Sequence, residues 1–587
     1  MSVDVTVDAG VRYQTLDGFG TSLGGSPTLK QLQSPTLQKI YYKDLGASML
    51  RVNLAFQALK APDGNLATPV YLGPDIRRNT KRFNWNESNI RSGGTFARAA
   101  LKHGGGDVNV IASIWSPPHW MKGTEISAAT GAATGVGPRL TYNAYGAANG
   151  SGGSLFNTDE NLTQFGRYVA AYVRGFEQAY GVPIYALSIQ NELAFHQSYT
   201  SAVYSPELYV NAVKAVSRWF RKEGIHTRLI GPEDVGVGST NDPYILKRQM
   251  TYIKALRADP EASAAIWGYA IHGYADDGIT ESRSPEMWRE YWAGRDDRPN
   301  WTGIAEDDKP SWMTEISGGS PTWNGALRLA SNVQDALVYG NASAWVYWGI
   351  TPASATQAGY TLMTGTDATA NKYVALKHFS RLIRPGAVRL KTSAVDPTGL
   401  YASAWVQDAN KTITTVLINN SAKAQEVRLH LPGIAIGSFS TNFGSTERAT
   451  WKQLRSIAVR GEVATITLPA RSLFTLQGST AKPSKPIQPA TFSGIYFRDH
   501  DADGRRDAGD KGIGGDKVFI DSNLNGRRDA KELFSVTRID GRFTFVVAPG
   551  TYAVRREVPR GTKTTTAAIG VTVKEAESRT GLLIGLA

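Results

Sequence analysis

The sequence predicts an α/β protein: a (β/α)₈ TIM barrel over residues 1–386, an attached β-sandwich side domain over 387–478, and a small C-terminal β-sandwich over 491–587. Three observations carry this reading. Eight apolar, strand-like runs alternate with helix-like segments between Leu16 and about Ile350, the pattern of repeated βα units around a parallel sheet. Near residue 387 the character changes to short β-rich runs spaced by Asp, Asn, Gly and Pro turns. A polar, Pro-rich stretch at 479–490, STAKPSKPIQPA, then reads as a semi-rigid linker ahead of a separate module.

The eight runs are TLDGFG, ASMLRVNLA, VNVIASIW, PIYALSIQNE, TRLIGPED, IWGYAIHGY, PSWMTEIS and ASAWVYWGI. The barrel assignment leaves the chain's first strand free to join the side domain. That domain's own runs are LYASAWVQ, TITTVLINN, AQEVRLHL and VATITLP. Most barrel runs end in a polar or aromatic residue followed by Gly, Pro, Asn or Ser, as in Trp115-Ser116-Pro117-Pro118, Asn191-Glu192, His272-Gly273-Tyr274 and Glu315-Ile316-Ser317. Strand C-termini form one face of such a barrel, so these residues are expected to converge on one cleft.

At 587 residues the chain exceeds what a single core supports. It holds no apolar run of about 18 residues, which argues against a membrane span. Cysteine is absent, so disulfides and thiolate metal sites are excluded and thiol usage does not report the redox compartment. The start, MSVDVTVDAG, lacks the basic and apolar regions of a leader peptide, which is expected to have been removed or never present. The net charge of +13 could favour an anionic partner, but Lys and Arg are scattered without a nucleic-acid motif. No nucleic-acid or membrane partner is expected. The 14 Trp and 25 Tyr suit either core packing or stacking on sugar rings.

Glu192 and Glu315 stand at the ends of the fourth and seventh strands, 123 residues apart in sequence yet both able to lean over the barrel mouth. Hydrolysis of a glycosidic bond with retention needs two carboxyl groups about 5 to 5.5 Å apart, one to protonate the leaving oxygen and one to attack the anomeric carbon. The Asn191 amide beside Glu192 can bond a sugar 2-hydroxyl. Arg51 and His272 can bond hydroxyls or orient a carboxylate, Tyr274 can contact Glu315, and Trp115 and Trp348 can offer rings. Each of the last four also fits a plain structural role in the barrel.

TLDGFGTSLGG, IASIWSPPHWMKG, SIQNELAF and SWMTEIS follow one another along the chain, and together they resemble glycoside hydrolase family 30 from about Tyr13 to Leu476. The likeness includes HFSRLIRPGAVRL, which resembles the start of that family's side sandwich. The resemblance implies a retaining enzyme with Glu192 as acid/base and Glu315 as nucleophile. It further implies that Arg51, Trp115, Asn191, His272, Tyr274 and Trp348 line the reacting subsite, and that catalysis needs no cofactor. Xylan-cleaving members look closest. Glucuronoxylan-specific members carry an arginine pair just after the eighth strand, where this chain has Gly349-Ile350-Thr351-Pro352. The expected activity is therefore endo-β-1,4-xylanase without strict dependence on glucuronate branches, with a β-1,6-glucanase or β-1,6-galactanase as alternative. A non-catalytic carbohydrate-binding surface protein is the alternative of another class.

In the last module, DHDADGRRDAGD begins at Asp499 and DSNLNGRRDAKE at Asp521. Both have the oxygen-ligand spacing of an EF-hand loop, with Gly at position 6, and so suit a hard cation such as calcium. The expected ligands are Asp499, Asp501, Asp503, Arg505 through its carbonyl, Asp507 and Asp510. The second set is Asp521, Asn523, Asn525, Arg527 through its carbonyl, Asp529 and Glu532. The flanks read as strands, and the module resembles the calcium-binding B-type repeats of bacterial surface proteins over Thr491–Ala587. That resemblance implies structural calcium and supports a secreted or cell-surface protein, expected to be a monomer acting on polysaccharide.

Overall fold

The structure is a computed structural model, which describes residues 2–59, 61–64, 68–104, 108–123, 125–126, 133–134, 153–194, 199–235, 249–274, 285–294, 302–393, 399–480, 490–522, 526–529, 532–547, 550–557, 568–574 and 577–586. Eight parallel strands close a barrel: β1 (Gly18–Ser22), β2 (Met49–Asn53), β3 (Asn109–Ser113), β4 (Ala186–Ser188), β5 (Arg228–Val235), β6 (Ile266–His272), β7 (Ser311–Glu315) and β8 (Ala344–Tyr347). Each overlaps one of the eight apolar runs, with β1 and β5 extending slightly past theirs. Buried on both faces, they carry near-continuous apolar sequence rather than alternation.

The surrounding helices show why the chain breaks where it does. The helix Asp159–Tyr180 is capped by Thr158, whose hydroxyl accepts from the Asn161 amide. Asp159 and Glu160 sit in its first turn against the positive helix end, and Gly181 closes it in the left-handed region at φ 69°. The helix Pro206–Glu223 repeats the scheme with Ser205 as cap, Pro206 at its start and Gly224 at its end. Both bury an apolar stripe against the strands.

The side domain is a single ten-stranded sheet, rolled so that strand Ser438–Thr446 also pairs with Ser472–Ser479. The N-terminal strand Ser2–Thr15 belongs to it, running antiparallel to Val388–Thr392 and parallel to Gln425–His430. Within 387–478 the strands pair antiparallel, and the one parallel pairing is made by this first strand, which joins the side domain from far away in sequence.

The C-terminal module packs a three-stranded sheet against a four-stranded one around Phe492, Tyr496, Val518, Phe543 and Phe545. It abuts the end of the barrel opposite the strand C-termini. There the Arg228 guanidinium lies 4.3 Å from the Tyr185 ring and 5.0 Å from that of Trp267. It donates to the Gly515 carbonyl at 2.9 Å and to Asp516 at 3.1 Å. Arg498 donates to the Gly224 carbonyl at 2.6 Å. Most of the Pro-rich stretch, 481–489, lies outside the described residues.

Candidate active site

Glu192 sits in the turn after β4 and Glu315 is the last residue of β7, each less than a tenth exposed. Oxygens of both, with a ring nitrogen of His272, all lie within 4.8 Å of one another. His272, at the end of β6, has Nδ1 2.8 Å from Glu192 Oε1 and Nε2 3.8 Å from Glu315 Oε2. Arg51, in the interior of β2, is fully buried. It donates to Glu315 Oε2 at 2.6 Å and to Asn191 Oδ1 at 2.6 Å, and its guanidinium lies 4.6 Å from the Trp115 ring centre. The Tyr274 hydroxyl reaches Glu315 Oε1 at 3.4 Å and Ser317 at 2.9 Å. Trp115 and Trp348 face each other at 6.0 Å between ring centres. All eight residues singled out in the barrel are thus brought to one end.

Three further residues belong to this cluster. Glu233 in β5 is fully buried, with Arg51 Nε 3.0 Å and His272 Nε2 3.9 Å from its Oε1, while the Ser113 hydroxyl donates to Oε2 at 2.7 Å. The Tyr199 hydroxyl donates to Glu192 Oε2 at 3.1 Å. The sequence signal for Glu233 was present: Gly-Pro-Glu near the end of the fifth run is one more polar residue at a strand terminus. For Tyr199 and Ser113 there was no local signal.

The backbone supports the arrangement at some cost. Glu192 at φ 47° and Glu233 at φ 62° both occupy the left-handed region, which costs a non-glycine residue about 1 kcal/mol or more. The two turns are tied together, the Glu192 amide donating to the Glu233 carbonyl at 2.9 Å.

Electrostatically the cluster is a buried set of three carboxyl groups and two cationic side chains. Burial raises the Glu315 carboxyl above its ordinary range and Glu192 adds to the rise, while His272 and Arg51 pull it back. Burial opposes charge on Glu233 too, but Arg51, His272 and Ser113 overcome it and hold that carboxyl at about 2. Burial also opposes charge on His272, yet Glu315, Glu192 and Glu233 push the imidazole up to about 10, so it is a cation at neutral pH. The spacing of Glu192, His272 and Glu315 could admit a metal ion, but Arg51 and the imidazolium already supply the balancing charge.

A cavity of about 620 Å³ opens beside the pair, lined by Ser22, Asn53, Asn89, Trp115, Tyr199 and Trp348 among others. Hydroxyl and amide groups beside aromatic rings are the chemistry that binds sugars.

Comparison with known proteins adds to this geometry. No family model matches the chain. It is 25% identical over 424 residues to the glucuronoxylanase XynC of Bacillus subtilis (strain 168), covering 71% of this chain and 78% of that one. A GH30 endoxylanase from Clostridium papyrosolvens C71 superposes with a TM-score of 0.58 at 23% identity, over 81% of this chain and all of that one. An endo-β-1,6-glucanase superposes with a TM-score of 0.57 at 18% identity, over 82% of this chain and 94% of that one. The barrel, the side sheet and the facing glutamates go together. The chain is a glycoside hydrolase. The hydrolase shares the fold of these two structures.

In the C-terminal module of the hydrolase, carboxylate oxygens of Asp499, Asp501 and Asp503 lie within 4.8 Å of one another. Asp499 Oδ2 accepts from the Gly504 amide at 2.9 Å, while the buried Oδ1 has no hydrogen-bond partner. The two oxygens of Asp510 accept from the His500 and Asp507 amides at 3.3 and 3.0 Å. The second loop repeats this scheme: Gly526 donates to Asp521 at 2.9 Å, and Ser522 and Asp529 donate to Glu532 at 2.6 and 2.9 Å. In addition Arg555 Nε lies 2.6 Å from Asp521 Oδ2. Arg505 and Arg527 hold position 7 of their loops, and Asn523 and Asn525 lie outside the described residues.

Proposed function

We propose that this hydrolase is a retaining endo-β-1,4-xylanase that does not require glucuronate branches, with Glu315 as nucleophile and Glu192 as acid/base. The observation that carries the retaining mechanism is the approach of the two carboxyl groups, whose oxygens come within 4.8 Å. Inverting enzymes separate them by roughly 6.5–9.5 Å to admit a water between acid and base. At the shorter spacing the second carboxylate itself reaches the anomeric carbon.

In the first step Glu315, oriented by Arg51 and Tyr274, attacks the anomeric carbon as Glu192 gives its proton to the departing oxygen. Glu315 becomes a neutral glycosyl ester, so the negative charge that bore on Glu192 is gone. Glu192, now ionised and held by His272 and Tyr199, takes a proton from the incoming water, which releases the sugar with its configuration kept. Asn191 is positioned for the 2-hydroxyl, its Oδ1 fixed by Arg51 so that its NH₂ group points away from the guanidinium.

The xylan assignment draws on the similarity to XynC, and independence from glucuronate on Gly349 to Pro352 standing where an arginine pair would grip the branch. A β-1,6-glucanase is the second reading, favoured by the equally good superposition on such an enzyme. Cleavage of both linear arabinoxylan and glucuronoxylan supports the first reading. Activity confined to β-1,6-glucan or β-1,6-galactan overturns it and keeps the chemistry.

Catalysis uses no cofactor in this scheme. The first C-terminal loop suits calcium: a buried, unpartnered carboxylate oxygen at Asp499 beside Asp501 and Asp503 is a donor set for a hard cation. The second fits less well, since Arg555 already neutralises Asp521. Calcium there would be structural, as in secreted or surface-displayed proteins, where the ion is abundant. The enzyme would act as a monomer on polysaccharide.

A further inference from the structure

At the end of the barrel opposite the catalytic cleft, a cavity of about 250 Å³ lies between the barrel and the C-terminal module. Its barrel wall comes from 183–185 and 225–227, the segments just before β4 and β5, and from the last turns of the helix Asp159–Tyr180. Its other wall is the first acidic loop of the module and the residues that follow it, through His500, Gly509 and 511–514. Docking fixes both walls, since Arg498 donates to the Gly224 carbonyl at 2.6 Å and Arg228 to Gly515 and Asp516 at 2.9 and 3.1 Å.

The lining is cationic. The scattered basic residues of the sequence converge here, so that Arg77, Arg174, Arg498 and Lys511 share the cavity with one carboxyl group, Glu177. Arg174 also lies near Glu223, its Nε 3.6 Å from that carboxylate. Even with Glu223 counted, the cations outnumber the carboxylates by two. The acids of the neighbouring loop turn inward: Asp499 Oδ2 and both Asp510 oxygens accept from amides of that loop, and His500 faces Asp510 at 3.0 Å. The side chains of Arg77 and Lys511 have no hydrogen bond or ion pair among the described residues. The surplus shows on Arg174, whose guanidinium is held below its ordinary value by burial and then by Arg498. Neutral groups complete the lining. Burial pushes the His226 imidazole down to about 4, so it is uncharged at neutral pH, and Gln178 offers an amide without a partner among the described residues. Ile225 and Ile513 add apolar faces.

We propose that this cavity binds an acidic sugar of the uronate class, gripping its carboxylate and ring between barrel and module, away from the site of cleavage. Guanidinium groups match a planar carboxylate with paired N–H donors. The His226 imidazole and the Gln178 amide suit ring hydroxyls, and the isoleucines suit the apolar face of a sugar. Domain junctions are a common place for such sites, and a volume just under the roughly 300–1,000 Å³ of pockets for larger ligands admits a single ring. Inorganic phosphate or sulfate would use the cations but leave the amide, the imidazole and the apolar faces idle. Because the ligand is held apart from the reaction, the inference stands whichever glycan the barrel cleaves.

Titration calorimetry of the full chain with D-glucuronate, D-xylose and inorganic phosphate, at constant ionic strength and neutral pH, tests this. Saturable binding of glucuronate is expected with a Kd of about 1 mM, at least about tenfold tighter than xylose. Combining Arg77→Gln with Lys511→Gln is expected to weaken glucuronate about tenfold or more. Both side chains are exposed, so xylan cleavage and the melting temperature without ligand are expected to be unchanged. Glucuronate binding that survives in the double variant lies elsewhere and overturns the proposal. So does phosphate that binds as tightly as glucuronate, which would make the cavity a site for inorganic anions. If the double variant does not fold, Gln178→Ala decides: weaker glucuronate binding with phosphate unaffected supports a sugar site, and unchanged glucuronate binding refutes it.

Discussion

Arg51→Met is the substitution whose consequences the structure fixes most tightly. The parent guanidinium is fully buried between Glu233 at 3.0 Å and Glu315 at 2.6 Å. Methionine keeps the apolar stem against Trp115 but removes the guanidinium between Glu233 and Glu315, leaving them the more distant His272 imidazolium at 3.9 and 3.8 Å. Breaking a buried pair in this way costs about 3–5 kcal/mol. Linkage gives a second route to the magnitude. Glu233 has an ordinary carboxyl value of 4.5 in the unfolded chain and about 2 in the fold, a difference worth about 3 kcal/mol. A depressed carboxyl contributes stability that is present above the unfolded value and is lost as pH falls from 4.5 toward 2. Glu315 acts in the opposite sense, its raised carboxyl favouring the fold on acidification. The deficit of Arg51→Met is therefore expected to be about 3–5 kcal/mol at pH 7 and clearly smaller near pH 3. Urea unfolding of parent and variant at the two pH values measures it. A deficit of the same size at both would show that packing, not charge, is what Arg51 supplies.

Other perturbations reach different parts of the account. His272 is raised to about 10 by its carboxylate neighbours, so its contribution to stability is complete below about pH 6.5 and is lost as pH rises toward 10; thermal unfolding across pH 7–10 is expected to decline more steeply for the parent than for His272→Gln. Gly515→Ala would place a methyl group 1.8 Å from the Tyr185 ring at a backbone φ of +85°, so a loss of roughly 1–3 kcal/mol is expected, read as a lower melting temperature. Arg228→Ala leaves Asp516 buried beneath the barrel without its cation and is expected to cost about 2–4 kcal/mol in the same assay. A calcium chelator is expected to lower the melting temperature of the C-terminal module while xylan cleavage at 25 °C persists; loss of cleavage would mean that the ion supports the barrel.

How much of this was legible in the sequence follows from how local each cause is. The barrel strands were readable because parallel strands buried on both faces write unbroken apolar runs. Glu192 and Glu315 were readable because a carboxylate that ends such a run has nowhere to point but the cleft. The N-terminal strand Ser2–Thr15 belongs with partners near residues 390 and 428, a pairing that alternation within the strand cannot specify. Glu233 reads only as one more polar residue near a strand end, and its contact with Arg51 appears when closure of the barrel brings together residues three strands apart. Likewise, a Pro-rich stretch announces a separate module but not where it rests. That contact depends on Arg228, Tyr185 and Gly515, residues unremarkable in their own segments.

In the proposed mechanism Glu315 attacks the sugar while Glu192 protonates the leaving group. Incubation with an activated 2-deoxy-2-fluoro-xylobioside, followed by intact mass and peptide mapping, tests it most directly. Stoichiometric addition of one glycosyl group is expected on the peptide containing Glu315, abolished in Glu315→Gln. No adduct at all, with xylan cleaved to product of inverted anomeric configuration, or an adduct on another carboxylate, would contradict it.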